Sequence, residues 1–462
     1  MQTASQAGRL SVESLPGWLL AAGLLTASAL LGPVAGSAVR PLFIIGCGVV
    51  GYLAWRQGPA QHMQVLLVLF CFASLARRIV DLYAGFDSSG LMLVGPLVAM
   101  LVPAIYLLSD WTAGLRDIQA LPMALVFGSV AYASLLTVFQ GNWSDAASNT
   151  VKSIAPLAYA YSLVSTRVSR SDIIDSATVA FLWILPLMGL YGIYQYIDPP
   201  EWDRFWMKSA TILSAGQPVP YGVRTFSVLN GPASFATFTA AGLLMVYFLR
   251  PTFLGMILSI PAAVALMLSM YRTAWISLAV GIVFSLFFKA TRGRGAGSII
   301  GIAVMIGIVL MTPFGDAINE RFASLSQGAG DGSARERIEE FLILWNRPDS
   351  GLIGNGFSTV DVGSAGSVAV DGMFMTCWLS MGMLVGLVCI AALLLAIGNA
   401  ISVAWIDRQA PSIVIGALAL GALTQMPLAN LISGELGFLF WTFVVLLPSD
   451  IQLTPQRWDA YP

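Results

Sequence analysis

The chain has 462 residues, 57% of them hydrophobic and 10% charged, with a net charge of −1 at neutral pH. Its mean hydropathy is +0.80, and the apolar runs are continuous. This composition excludes an ordinary soluble domain, and it excludes a β-barrel, whose strands alternate in polarity and need only about 10 residues.

About 20 apolar residues span a bilayer core, so the pattern predicts an all-α, polytopic helix bundle in a membrane. In chain order the runs lie at 17–38, 41–55, 62–76, 90–108, 121–139, 153–165, 176–197, 230–249, 252–270, 273–289, 298–313, 371–398, 411–430 and 434–448. They predict about 12 to 14 transmembrane helices. The first run is too long for the core of a signal peptide and is read as a retained helix. The organisation expected is N-terminal helices over 1–197, a loop over 198–229, central helices over 230–313, a large loop over 314–370, and C-terminal helices with a tail over 371–462.

Basic loops stay on the cytoplasmic side, and the densest is the Lys289–Gly295 link. Working outward from it places Arg9, Arg56, Arg116, Arg167, Arg170, Arg250, Arg408 and both termini inside. Arg77 and Arg78 alone fall on the wrong side. The two substantial loops then lie outside, and His62, the only histidine, lies inside. A histidine triad or histidine-ligated zinc site on the outer face is therefore not expected. Cys47, Cys71, Cys377 and Cys389 lie in apolar runs without C-x-x-C spacing and read as small core residues. No phosphate-binding glycine loop of the nucleotide type occurs, and no tandem repeat.

Charge gathers within the outer loops. Ser333 and Glu336 form a capping box, and Ile338, Phe341, Leu342 and Trp345 recur at helical spacing, predicting a short amphipathic helix. Its early Arg335 and Arg337 sit where the helix dipole disfavours cations, which fits either a salt-bridged solvated helix or an anion site. Gly354 and Gly356 fit a plain turn or a close backbone approach to a ligand. Arg224 and Asn230 lie at the outer mouth of the eighth run. Arg272, between two runs, snorkels, pairs or lines a cavity. Asp371 opens a run as a helix cap or as a general base. Asn430 and Glu435 lie in a later outer link and could join the same mouth. Tyr194–Trp206 reads as an aromatic belt or a sugar-stacking surface.

Four of these segments, in this order, resemble the superfamily of O-antigen ligases and Wzy-type polysaccharide polymerases. They are Arg224–Pro232, "SMYRTAW" around Arg272, Arg335–Gly356, and Asp371 with Gly382 some eleven residues on. The resemblance covers Arg224 to Gly386. Ligases of the superfamily commonly carry His-Asn where this chain has Asp371 and Gly372, and that departure favours a polymerase.

The resemblance implies a metal-independent, cofactor-free glycosyltransferase of the large membrane (GT-C-like) class in a bacterial inner membrane. Its implied substrate is an oligosaccharide on undecaprenyl pyrophosphate at the periplasmic face, during exopolysaccharide or O-antigen synthesis. Membrane lipids, a flippase and a chain-length regulator are the implied partners, with no nucleic acid. Arg224, Arg272, Arg335 and Arg337 would counter the pyrophosphate charge without a metal. Asn230, Gly354 and Gly356 would complete the substrate site. Asp371, with Glu435 in reserve, would orient or deprotonate the acceptor hydroxyl. The competing readings are a ligase-like transferase, a peptidoglycan glycosyltransferase of the shape, elongation, division and sporulation family, and a polysaccharide transporter or flippase.

Overall fold

The computed structural model describes residues 16–108, 111–166, 169–210, 213–311, 342, 351–357 and 372–448. Helices and the links between them make up the described residues, with one isolated β-bridge between Gly216 and Val223. The helices are α1 (Gly17–Ala35), α2 (Val39–Gln57), α3 (Pro59–Ala84), α4 (Val94–Leu101), α5 (Ala120–Phe139), α6 (Trp143–Ser165), α7 (Arg170–Ile197), α8 (Glu201–Ala210), α9 (Pro232–Leu249), α10 (Phe253–Leu268), α11 (Arg272–Leu286), α12 (Arg292–Leu310), α13 (Met373–Asp407), α14 (Ala410–Gln425) and α15 (Gly434–Val444).

The described parts of the expected apolar runs are largely helical, though 90–108 forms only a short α-helix between 3-10 turns and 411–430 is helical only as far as Gln425. Among the described residues five segments are long and apolar enough to cross a membrane: Gly17–Gln57, Ala120–Phe139, Arg170–Ile197, Pro232–Leu249 and Met373–Asp407. Small residues let helices cross closely. A Cβ on Gly189 of α7 would lie 2.1 Å from the backbone nitrogen of Ala262 in α10, so only glycine fits there. The core is aromatic and aliphatic, with Trp441, Tyr159, Phe43, Phe181, Phe235 and Phe238 among its largest fully buried side chains. Arg78 is buried with them.

A further run departs from expectation. The stretch 371–398 is not a single straight span, because Gly382 takes φ 73°, ψ 175° and breaks α13. A Cβ on Gly386 would lie 2.8 Å from the carbonyl oxygen of Cys377, nine positions earlier. In a continuous helix those positions stand about 13 Å apart. The chain therefore folds back, giving a short limb, 373–381, against a long limb, 383–407. Hydropathy does not register such a break, because the run stays apolar through it.

The described part of loop 198–229 holds α8. This helix turns its aromatics inward: Trp206 is buried and its ring lies 5.6 Å from that of Phe226. Trp202 donates from Nε1 to the hydroxyl of Tyr191 at 2.7 Å. These two tryptophans form neither a membrane belt nor an open sugar platform.

Candidate functional site

The helix ends sort the charged residues into two groups. At one end lie Arg56, Arg170, Arg250, Lys289, Arg292, Arg294 and Arg408, at or between the ends of α2, α7, α9, α11, α12 and α13. Asp117 takes Arg170 at 2.7 Å there, and Asn399 donates to the carbonyl of Ile118. His62 starts α3 at this end, buried with Nε2 3.1 Å from the carbonyl of Ala99. It is remote from the residues described next, as its place in the sequence implies.

The opposite end gathers the ends of α3, α5, α7 and α10 with the starts of α9, α11, α13 and α15. The segment before α9 reaches α10 through the Thr225 N–H, which donates to Leu268 O at 3.1 Å. Ser234 of α9 donates from Oγ to Oε1 of Glu435 in α15 at 2.7 Å. The Tyr271 hydroxyl, next to Arg272, donates to Leu428 O at 3.4 Å. Arg272 and Glu435 are half-buried, each in the first turn of its helix, and Arg224 is exposed. Asn230 is half-buried, and its Oδ1 is buried without a donor among the described residues. Asn430 accepts from the Ile432 N–H at 3.1 Å, which turns the link that leads to Glu435.

Three non-glycine residues on this rim have left-handed backbones, Tyr221 at φ 61°, Ser227 at φ 50° and Met270 at φ 55°. Such conformations cost roughly 1–3 kcal/mol and persist only when neighbours enforce them. At Ser227 the enforcement is visible. Its N–H donates to Gln195 Oε1 at 2.8 Å, its hydroxyl to Met188 O at 2.6 Å, and its carbonyl accepts from Arg78 at 2.5 Å.

Arg78 anchors a network that sequence reasoning missed. Its Nε lies 2.7 Å from Asp203 Oδ1, both side chains are fully buried, and its Nη1 donates to Leu229 O. Tyr191 and Gln195 donate to Asp203 Oδ2 at 2.9 and 2.6 Å. The network thereby fixes 226–229, immediately before Asn230. The signal for it was in the sequence: Arg77 and Arg78 were the basic residues on the wrong side of the predicted topology. They are internal partners rather than loop charges, since Arg77 pairs with Asp81 at 3.2 Å and Arg40 with Asp81 at 2.8 Å. Nearby, outside the helices, Asp87 accepts from the Ser89 hydroxyl and from the N–H groups of Ser89 and Leu91. Burial pushes its carboxyl up, but these donors and Arg40 outweigh that, and its pKa ends below the usual carboxylate range.

Gly354 and Gly356 have φ 80° and 66°. A Cβ would lie 2.2 Å from the Gly382 nitrogen at the first and 2.4 Å from Thr137 Oγ1 at the second. These glycines therefore pack against α13 and α5. The expected amphipathic helix with Arg335 and Arg337, and Asp371, lie outside the described residues.

An apolar groove of about 520 Å³ runs between α10 and α12, past Phe253, Ile260, Met267, Gly297 and Gly301, and reaches Trp275 of α11, three residues after Arg272. Among the described residues no three His, Cys, Asp or Glu side chains converge. The described site chemistry is that of guanidinium, carboxylate, amide and hydroxyl groups. Comparison with protein-family models and with curated proteins found no match.

Proposed function

We propose that the chain is a membrane glycosyltransferase of GT-C-like architecture with 12 to 14 spans, which joins oligosaccharide units carried on undecaprenyl pyrophosphate at the periplasmic face of a bacterial inner membrane. The observation that carries this reading is the segregation of charge. Arg224, Arg272, Asn230 and the Ser234–Glu435 pair gather at one end of the bundle, and the helix-linking basic residues gather at the other. Under the rule that basic loops remain cytoplasmic, the Arg272 end faces outward.

The chemistry fits. A pyrophosphate leaving group requires fixed positive charge where negative charge develops, which Arg224 and Arg272 supply. An acceptor hydroxyl requires a carboxylate within hydrogen-bond reach. Glu435 already accepts a hydroxyl hydrogen bond, from Ser234, and a sugar hydroxyl would approach in the same manner. The groove beside Trp275 is wide and apolar enough for a hydrocarbon chain whose head reaches Arg272. Asp371, Arg335 and Arg337 complete the proposed site on the resemblance alone.

The test is the fate of lipid-linked saccharide in cells carrying Arg272→Ala or Glu435→Gln. We expect protein levels near wild type and a fall in polymer of about 100-fold or more for Glu435→Gln, with single repeat units accumulating on the outer face. Accumulation on the cytoplasmic side would assign a flippase instead. Polymer that still forms but stays on its carrier would assign a ligase.

A further inference from the structure

The fold-back of α13 and the glycine-rich segment 351–357 meet at one point. The carbonyls of Leu379 and Ser380, freed where the short limb ends at Gly382, accept from the N–H groups of Asn355 and Gly356 at 2.7 and 3.0 Å. Segment 351–357 is in turn held by α5. Tyr132 donates to Ile353 O at 2.9 Å, and the Phe357 N–H donates to Thr137 Oγ1 at 2.6 Å. The other end of the limb is held as well, since the Met373 N–H donates to Met426 O at 2.8 Å. A Cβ on Gly372 would lie 2.2 Å from Pro427 O. Residues 426–433 lead directly to Glu435, and Leu428 among them takes the Tyr271 hydroxyl beside Arg272.

We propose that 351–357 is a clasp, and that the 373–381 limb is a hinged bar that transmits the clasp's state to the link carrying Glu435. The bar has two available arrangements. Folded back, it lies against the long limb. Straightened at Gly382, α13 becomes one helix of 35 residues, about 52 Å long against an apolar bilayer core of about 30 Å. Gly382 absorbs the change in φ and ψ, as hinge residues do. Tyr132 and Thr137 are then positioning residues that act through the backbone of 351–357, and they touch no reacting group.

The native thiols are buried, so introduced labels provide the probe. In the full-length chain with its four cysteines replaced by alanine, Phe374→Cys and Ile406→Cys place spin labels at exposed positions of the short and long limbs. Folded back, the two positions stand about 25 Å apart along the long limb; in one straight helix they stand about 48 Å apart. The two near-isosteric clasp changes Tyr132→Phe and Thr137→Val, combined, should move a measurable share of the distance distribution to the longer value while the protein stays monodisperse. In a chain with all four cysteines replaced and Ser433→Cys added, the same clasp changes should alter maleimide labelling at position 433 several-fold. Only the longer distance in the unmodified clasp overturns the folded-back limb. A distribution that is unaffected by the clasp changes overturns the clasp. A shifted distribution with unaltered labelling at 433 overturns the transmission. None of these readouts depends on saccharide chemistry, so the inference stands or falls separately from the proposed activity.

Discussion

Two arginine sites share one end of the bundle and differ in every other respect. Arg78 is sealed, with all three guanidinium nitrogens committed to Asp203, Ser227 and Leu229. Around Arg224, Arg272 and Glu435 the side chains are exposed or half-buried and stand at helix starts. Removing one member of a buried ion pair leaves an uncompensated charge, and full burial keeps ligands from both members. The mouth around Arg224 and Arg272 is partly open to solvent. The comparison teaches that arginine in an apolar chain marks either a joint or a site, and that enclosure tells them apart.

The largest effect should come from breaking the joint. Arg78→Gln or Asp203→Asn strands a buried partner and is expected to cost about 3–5 kcal/mol, read as loss of folded protein in detergent and a fall in thermal midpoint. Replacing both together by apolar residues of similar volume should recover much of that. If Arg78→Gln leaves stability intact and abolishes activity, Arg78 belongs with the site and the contrast fails.

A second test bears on the glycines between the two regions. Gly354→Ala forces a side chain onto the backbone of Gly382 at a φ that alanine rarely adopts, for roughly 1–3 kcal/mol from the conformation alone. Gly231→Ala, beside Asn230, meets nothing within 4 Å at an extended φ and should change stability little. Equal effects at the two would remove the structural distinction.

The smallest effect should be at Asp87. Its pKa is depressed in the folded state, so the stability it contributes is present above its ordinary value of 3.8 and is lost as pH falls through the lower folded value. The thermal midpoint of wild type should exceed that of Asp87→Asn by about a degree at pH 6, and the difference should shrink as pH is lowered past the ordinary value and through the folded one.

The helices were legible in the sequence because apolar periodicity and length are local properties, and the described parts of the expected runs are largely helical. Arg272 and Glu435 were legible as charges at run ends. The pairing of Arg78 with Asp203 was not, since it joins two segments far apart in the chain and neither carries a local mark of the other. Its trace was a violation of the positive-inside pattern. The break at Gly382 was hidden for a different reason: hydropathy measures side chains, whereas the break is a backbone torsion. The glycines at 354, 356 and 382 hinted at it, but only their contact in space explains why all three lack a side chain.

The sealed joint also sets an order of events during synthesis. Arg78 leaves the ribosome 149 and 151 residues ahead of the two carbonyls that will accept its hydrogen bonds. In that interval Arg77 and Asp81 already have each other and Arg40, but Arg78 is without the partners supplied by α8 and 226–229. Helix α3 is not among the five segments apolar enough to cross a membrane by composition alone. Its final seating is therefore a late step, completed only when the later segments arrive. The first third of the chain is assembled provisionally and then locked from behind.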